Sequence, residues 1–336
     1  MSSTSQSAWS HASWRSRAFS RSTVASRPLM AAAGRRVLSH PTLLSATRPG
    51  VNRGLSLLSP VPKDTRTTPV RDRVAGGQVR GEWIHQRSGL GGGIPTPASG
   101  ASIVYYLHGS GYVICSPRTH RGLVARLTRH AGIGSFSLDY RMGPEYRWPS
   151  AGDDTIRGYR WLLQQGFDAR QIIVAGDSAG GHLAMDLLAS NHAAGVPQPR
   201  ALALFSPLYD PTFQLAFDLE GRGVRDPIID VTGARSFLGL YTGGADPDHP
   251  RMRVQLTPDM DLPPTLIQVG SREIMADDAR TIHRLLLAAG GTSELQEWRG
   301  QGHVFQMFPY FTPESQRAVR EAADFIAAHS IRDRRS

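Results

Sequence analysis

Cysteine is almost missing from this chain of 336 residues. Cys115 stands alone, so an internal disulfide and a cysteine-built metal cluster are both excluded. Lysine is equally scarce: Lys63 is the only one among 38 basic residues. So uniform a preference for arginine reads as a bias of coding composition, which weakens any functional reading of single arginines. No apolar run reaches the roughly 18 residues that a membrane-spanning helix needs. Acids are missing from residues 1–63, where eight arginines and Lys63 stand, so nearly all of the formal charge of +10 lies there. The remainder carries 29 basic and 28 acidic residues. The body is nearly neutral, a basic stripe on it would be needed to argue for DNA or RNA, and a nucleic-acid partner is not expected.

Residues 1–33 are rich in Ser, Arg and Ala and include Trp9, Trp14 and Phe19. The composition resembles an organelle transit peptide; a disordered extension, or a start codon placed too far upstream, has the same look. No apolar core of the kind a secretory signal carries follows the first arginines. The cytoplasm is the expected compartment for the body, with organelle import left open by this extension.

What the chain does contain is alternation. Hydrophobic residues make up 40% and charged residues 20%, a globular composition, and the length suits one large α/β domain with insertions or two ordinary ones. Val79–His85 reads as an early strand. The glycine-rich loop Ser88–Gly100 lacks the spacing and the Lys-Ser/Thr ending of a phosphate loop. Short β-branched or apolar runs follow at Ser102–Leu107, Ile133–Leu138, Ile172–Ala175, Ala201–Phe205 and Thr265–Val269, with a further strand at Ser293–Trp298. Helical stretches at Thr119–His130, Asp153–Gln165, Ala179–His192 and Ala276–Ala289 separate them, and Pro313–His329 closes the chain. Strands alternating with helices predict a mostly parallel, doubly wound sheet. Residues 206–264 are too long for one crossover and contain one clear helix, near Thr232–Leu240, which suits a cap over the carboxyl end of the sheet.

Gly176-Asp177-Ser178-Ala179-Gly180-Gly181 follows an apolar strand and opens a helix. That is the context in which G-x-S-x-G makes a nucleophile elbow: a sharp turn lifts the serine hydroxyl above the sheet at a helix N-terminus. A serine needs a base, and the base an orienting acid, in the order Ser, acid, His. His303, in the loop between the last strand and the last helix, suits the base. Glu273 closely follows the strand Thr265–Val269 and suits the acid. Asp277 is the alternative, although it and Asp278 read as first-turn residues of the next helix. Backbone N–H donors for an oxyanion are expected from Ala179 and from His108-Gly109-Ser110-Gly111-Tyr112. His108 reads as a residue that orders this loop, and Cys115 as a packed thiol.

These segments together resemble the hormone-sensitive-lipase family of esterases, the bacterial family IV type. His108-Gly109-Ser110-Gly111 is similar to its HGGG motif, Gly176–Gly180 is the GDSAG form of its elbow, and Tyr140-Arg141-Met142-Gly143-Pro144-Glu145 resembles its YRLAPE segment. Leu262-Pro263-Pro264-Thr265 and His303-Val304-Phe305 extend the likeness, which runs from about Leu55 to Ile331. The resemblance implies an α/β-hydrolase fold with an eight-stranded sheet. It also implies nucleophile Ser178, acid Glu273 and base His303, with oxyanion donors Gly109, Ser110 and Ala179. His108, Gly111 and Asp177 are expected in support. Ser110 departs from the family glycine, and Glu273 stands where many members have Asp. The expected organisation is a basic extension at 1–33, a cap segment at 34–70, a core at 71–207 and 261–336, and a cap insertion at 208–260.

The expected activity is hydrolysis of short-acyl carboxylic esters through an acyl-enzyme, with no cofactor and no metal. Lactone hydrolysis or small-molecule deacetylation would use the same site. A non-catalytic ligand-binding receptor on the same fold is the reading of another class. The expected partner is a small ester or lactone, and a homo-oligomer is left open.

Overall fold

The computed structural model describes residues 12–24, 41–87 and 92–331. The early residues form helix α1 (residues 14–24) and helix α2 (Pro41–Leu58). The antiparallel pair β1 (Thr65–Val74) and β2 (Gly77–Gln86) follows. From there strands and helices alternate: β3 (Ile103–Leu107), α3 (Pro117–Ala131), β4 (Gly134–Leu138), α4 (Ser150–Gln164), β5 (Ile172–Asp177), α5 (Ala179–Ala193) and β6 (Ala201–Phe205). The insertion carries α6 (Gln214–Gly221) and α7 (Val231–Thr242). β7 (Thr265–Gly270), α8 (Ala276–Ala288), β8 (Ser293–Trp298) and α9 (Pro313–His329) complete the chain.

The eight strands make one sheet in the order β1-β2-β4-β3-β5-β6-β7-β8. All neighbours from β4 to β8 run parallel, and β2 joins β4 antiparallel. This is the mostly parallel, eight-stranded α/β-hydrolase sheet that the alternation and the family resemblance imply. Both faces are covered, so the central strands are apolar on both sides. Along β3, Ile103, Tyr105 and Leu107 enter one core cluster, while Val104 and Tyr106 enter the other. Leu123, Val124 and Leu127 of α3 and Val319, Ala322 and Ile326 of α9 close the second face.

Strand β1 is absent from the reading of the sequence. It is an edge strand with Pro69 in its middle and Arg66, Arg71, Asp72 and Arg73 along it, features that count against a strand unless it lies at an edge. It also begins inside the 34–70 stretch assigned to the cap. Within that stretch α2 is tied to the body by polar contacts. The Asn52 amide donates to the Cys115 carbonyl (3.0 Å) and accepts the Cys115 N–H (2.9 Å). Arg48 bonds the Gly143 carbonyl (2.7 Å) and Glu145 (2.9 Å).

Where the basic extension reads as transit-like or disordered, residues 12–24 lie folded on the start of α9. The Ser13 N–H donates to Glu314 at 2.6 Å, the Ser16 hydroxyl bonds the same carboxylate, and Phe19 stacks on Phe311 with centroids 5.0 Å apart. Residues 1–11 and 25–33 of that extension, 34–40 of the cap segment, Ser88–Gly91 of the glycine-rich loop and the last five residues lie outside the described residues.

The insertion is anchored by Arg251. Its guanidinium bonds both oxygens of Asp186 on α5 (2.9–3.2 Å) and Asp153 on α4 (2.8 Å). Asp186 is only 4% exposed, whereas a quarter of Arg251 faces solvent. Removing the guanidinium strands a buried carboxylate, which costs about 3–5 kcal/mol in a fully buried pair. Arg251→Met is therefore expected to cost about 2–3 kcal/mol. Urea unfolding checks this as a lowered midpoint with an unchanged slope.

Candidate active site

Ser178 sits where β5 becomes α5, with φ +51° and ψ −118°. A non-glycine residue in this region costs of order 1–3 kcal/mol and persists only where its surroundings over-determine it. Here the Ser178 N–H extends the β5–β6 ladder to the Phe205 carbonyl (2.9 Å), and helix α5 starts at the next residue. Gly180 permits the packing, because a Cβ there would lie 1.9 Å from the Leu107 carbonyl oxygen. The turn points the Ser178 hydroxyl at His303, whose Nε2 is 3.0 Å away.

His303 reaches that point from the loop between β8 and α9, and Glu273 faces it from the loop after β7. The Glu273 Oε1–His303 Nδ1 distance is 3.6 Å, an ion-pair separation longer than a hydrogen bond. A carboxylate on that side favours the tautomer with its proton on Nδ1, which leaves Nε2 free to accept from Ser178. Burial pushes the imidazole pKa down, but the carboxylates of Glu273, Asp226 and Asp177 more than offset this, and the net shift is upward. Glu273 is fully buried, and burial raises its pKa against the pull of His303. Its second oxygen accepts from the Ser206 hydroxyl (2.8 Å) and the Gly270 N–H (3.0 Å). Asp277 is held elsewhere, on the surface of α8, by Arg280 (2.7 Å) and Arg222. The structure thus brings Ser178, His303 and Glu273 together and leaves the alternative acid out.

The oxyanion loop needs one correction. The Gly109 N–H is already bonded to Asp177 Oδ1 at 2.9 Å, so it does not serve an incoming oxyanion. Gly109 is glycine for a steric reason, since a Cβ would lie 2.1 Å from Asp177 Oδ2. Asp177 also accepts from the Tyr106 hydroxyl (2.7 Å) and pairs with His120 (3.1 Å). Ser110, Gly111 and Ala179 line the pocket beside Ser178. The N–H groups of Ser110 and Gly111 have no acceptor among the described residues, and that of Ala179 lies in the unpaired first turn of α5. Gly111, read as a supporting residue, thus presents a free N–H where that of Gly109 is taken. Its φ of +51° suits glycine. His108 is buried, stacked on Tyr140 at 4.3 Å, and pushed down to about 3 by burial and by His120, so it stays neutral. Burial lifts the Cys115 thiol to about 12, which keeps it protonated and unreactive.

Comparison with known proteins identifies the fold and the class of activity. A family model described as the alpha/beta hydrolase fold matches residues 104–307. An acetyl-hydrolase of Streptomyces hygroscopicus is 35% identical over 258 residues, covering 77% of this chain and 83% of its own. An esterase of Acinetobacter venetianus is 31% identical over 286 residues, covering 84% and 89%. The crystal structure of an esterase from the bacterial hormone-sensitive lipase family matches with a TM-score of 0.74 at 33% identity, over 88% of this chain and 97% of that one. The chain belongs to the hormone-sensitive-lipase-like carboxylic ester hydrolases of the α/β-hydrolase family.

In this esterase the pocket above Ser178 has a volume of about 390 Å³ and is walled by Leu55 and Leu58 of α2, Phe213 and Phe237 of the insertion, Ile114 and Met307. Among the described residues no group of three or more His, Cys, Asp or Glu side chains is placed to hold a metal ion. No helix among them is long and apolar enough to cross a membrane.

Two residues that shape the site were not picked out from the sequence. Ser206, at φ +48°, donates to Glu273 and accepts the N–H of Val304 (3.0 Å), so one hydroxyl joins the acid loop to the base loop. Asp226 is completely buried; one oxygen accepts the N–H groups of Ile228 (2.7 Å) and Ile229 (3.0 Å), and the other that of Ile274 (3.1 Å). Its only sequence signal is Asp226-Pro227, which reads as a turn. Because the Asp226 carboxylate favours the imidazolium, Asp226→Asn is expected to lower the pKa of His303. Imidazole proton NMR across pH checks the direction: an unchanged or raised value would contradict the electrostatic coupling.

Proposed function

We propose that this esterase hydrolyses short-acyl carboxylic esters through an acyl-enzyme on Ser178. Ser178 Oγ attacks the ester carbonyl while His303 Nε2 takes its proton, and Glu273 stabilises the resulting imidazolium. The N–H groups of Ser110, Gly111 and Ala179 hold the negative charge on the tetrahedral oxygen. The C–O bond then breaks as His303 returns the proton to the leaving alcohol. Water, activated by His303, repeats the sequence on the acyl-enzyme and frees the acid. In this reading α2 and the 208–260 insertion act as the cap that shapes the substrate pocket.

The observation that carries the proposal is the 3.0 Å approach of Ser178 Oγ to His303 Nε2 with Glu273 on the far side of the ring. Support for short acyl groups comes from relatives: one is named an acetyl-hydrolase. A solved esterase that was soaked with p-nitrophenyl butyrate matches at a TM-score of 0.72 and 31% identity, covering 84% of this chain and 90% of that one. The intact His303 speaks against a ligand-binding receptor, which would not need a base.

Ser178→Ala is expected to lower kcat on p-nitrophenyl butyrate by about 10⁴–10⁶-fold, and Cys115→Ala to leave it within about twofold. A fluorophosphonate probe is expected to label the native chain and not the Ser178→Ala protein. Hydrolysis retained by Ser178→Ala would remove the proposal. Across p-nitrophenyl esters of rising chain length, kcat/KM is expected to peak among short acyl groups; a peak at long chains would contradict that part alone.

A further inference from the structure

The loop that presents the oxyanion amides is closed by three hydrogen bonds whose protons all run one way. The Tyr112 N–H donates to Ser110 Oγ at 2.7 Å. Ser110 Oγ lies 2.7 Å from the Tyr140 hydroxyl, and that hydroxyl lies 2.6 Å from the His108 carbonyl. A carbonyl only accepts, so the single Tyr140 proton goes to His108. The Ser110 proton must then go to the Tyr140 oxygen, and Ser110 in turn accepts from Tyr112. Every donor in the chain is used; residues 108 and 110 are fastened directly to a side chain from outside the loop, and residue 112 is fastened to it through Ser110. Ser110 is 5% exposed and Tyr140 1%, so water competes little for these bonds.

The loop needs such a fastening. Gly111 and Tyr112 are successive left-handed residues, at φ +51° and +64°, and the second is not glycine. Backbone of this kind turns neighbouring N–H groups toward a common point, which is how main chain makes an anion-binding concavity. Tyr112 is further held by its ring, stacked 4.3 Å from Tyr241, and by its hydroxyl, 2.6 Å from His182 Nδ1. Ser110 is thus the middle tie of a strained turn, and its own peptide N–H is one of the donors the turn presents.

We propose that the Ser110 hydroxyl, standing where the HGGG pattern of the family has glycine, is a positioning residue for the oxyanion. It aims the N–H groups of Ser110 and Gly111 through the relay Tyr112–Ser110–Tyr140–His108. The proposal rests on the oxyanion role given to those amides above.

Ser110→Ala keeps the peptide N–H and removes only the relay. With p-nitrophenyl butyrate, kcat is expected to fall about 10- to 30-fold, below the roughly 10²–10³ of deleting a donor outright, with KM within about twofold. A trifluoromethyl ketone, which binds as a hemiketal oxyanion, should weaken by the same factor, while the matching methyl ketone should not. Tyr140→Phe breaks the relay from its other side without touching position 110, so it gives an independent reading if Ser110→Ala folds poorly. The double variant should be no worse than the poorer single one. Unchanged kcat, a loss confined to KM, equal weakening of both ketones, or losses that multiply in the double variant would each overturn the proposal. Ser178→Ala beside the native chain in the same assay tests the underlying esterase reading separately. If that reading fails, amide hydrogen exchange of residues 108–113 still decides: faster exchange in Ser110→Ala supports the tie, and unchanged exchange removes it.

Discussion

The strained backbone of Ser178 is the constraint around which the site is built. A left-handed serine between a strand and a helix holds only if both are fixed and if nothing with a side chain crowds the turn. The β5–β6 ladder fixes one side and α5 the other, and Gly180 lies where a Cβ would strike the Leu107 carbonyl. The same close approach brings the end of β3 beside the end of β5. The loop after β3 must therefore pass directly over Asp177, whose carboxylate takes the Gly109 N–H. Placement of the serine and of the amides facing it is one packing solution.

The other half of the site depends on bonds between loops. His303 and Glu273 lie on segments separated in sequence, and the 3.6 Å gap between them is too wide for a direct hydrogen bond to fix their relation. Ser206 does so instead, from a third loop, by touching the acid with its proton and Val304 with its oxygen. Asp226 adds the insertion to this group by capping residues 228–229 and reaching Ile274. The buried Asp226 carboxylate therefore couples the wall of the pocket to the loop of the acid.

Much of this was legible in the chain. The alternation of apolar runs and helices yields the parallel part of the sheet because both faces are buried, and the shortness and β-branched content of those runs mark them as strands. β1 escaped notice because an edge strand has little apolar surface and tolerates Pro69. Order and context single out Ser178, His303 and Glu273, and the fold brings these three side chains together. The assignment of Gly109 as a donor failed for a reason no motif states: its N–H is consumed by the residue before the nucleophile. Asp226 and Ser206 were invisible because their work is to join loops far apart in sequence, and a lone Asp-Pro or Ser-Pro pair carries no trace of the partner.

The pair of hydrogen bonds between Asn52 and the Cys115 backbone bears on which parts of this chain can be exchanged. One amide side chain on α2 matches both the backbone donor and the backbone acceptor of Cys115, three residues beyond the strained Tyr112. A foreign α2, grafted to bring a new pocket wall, would lose register with the catalytic loop unless it brought an asparagine at the same height. The helix and the 108–115 loop therefore form a matched block, and the insertion joins it through the stacking of Tyr241 on Tyr112.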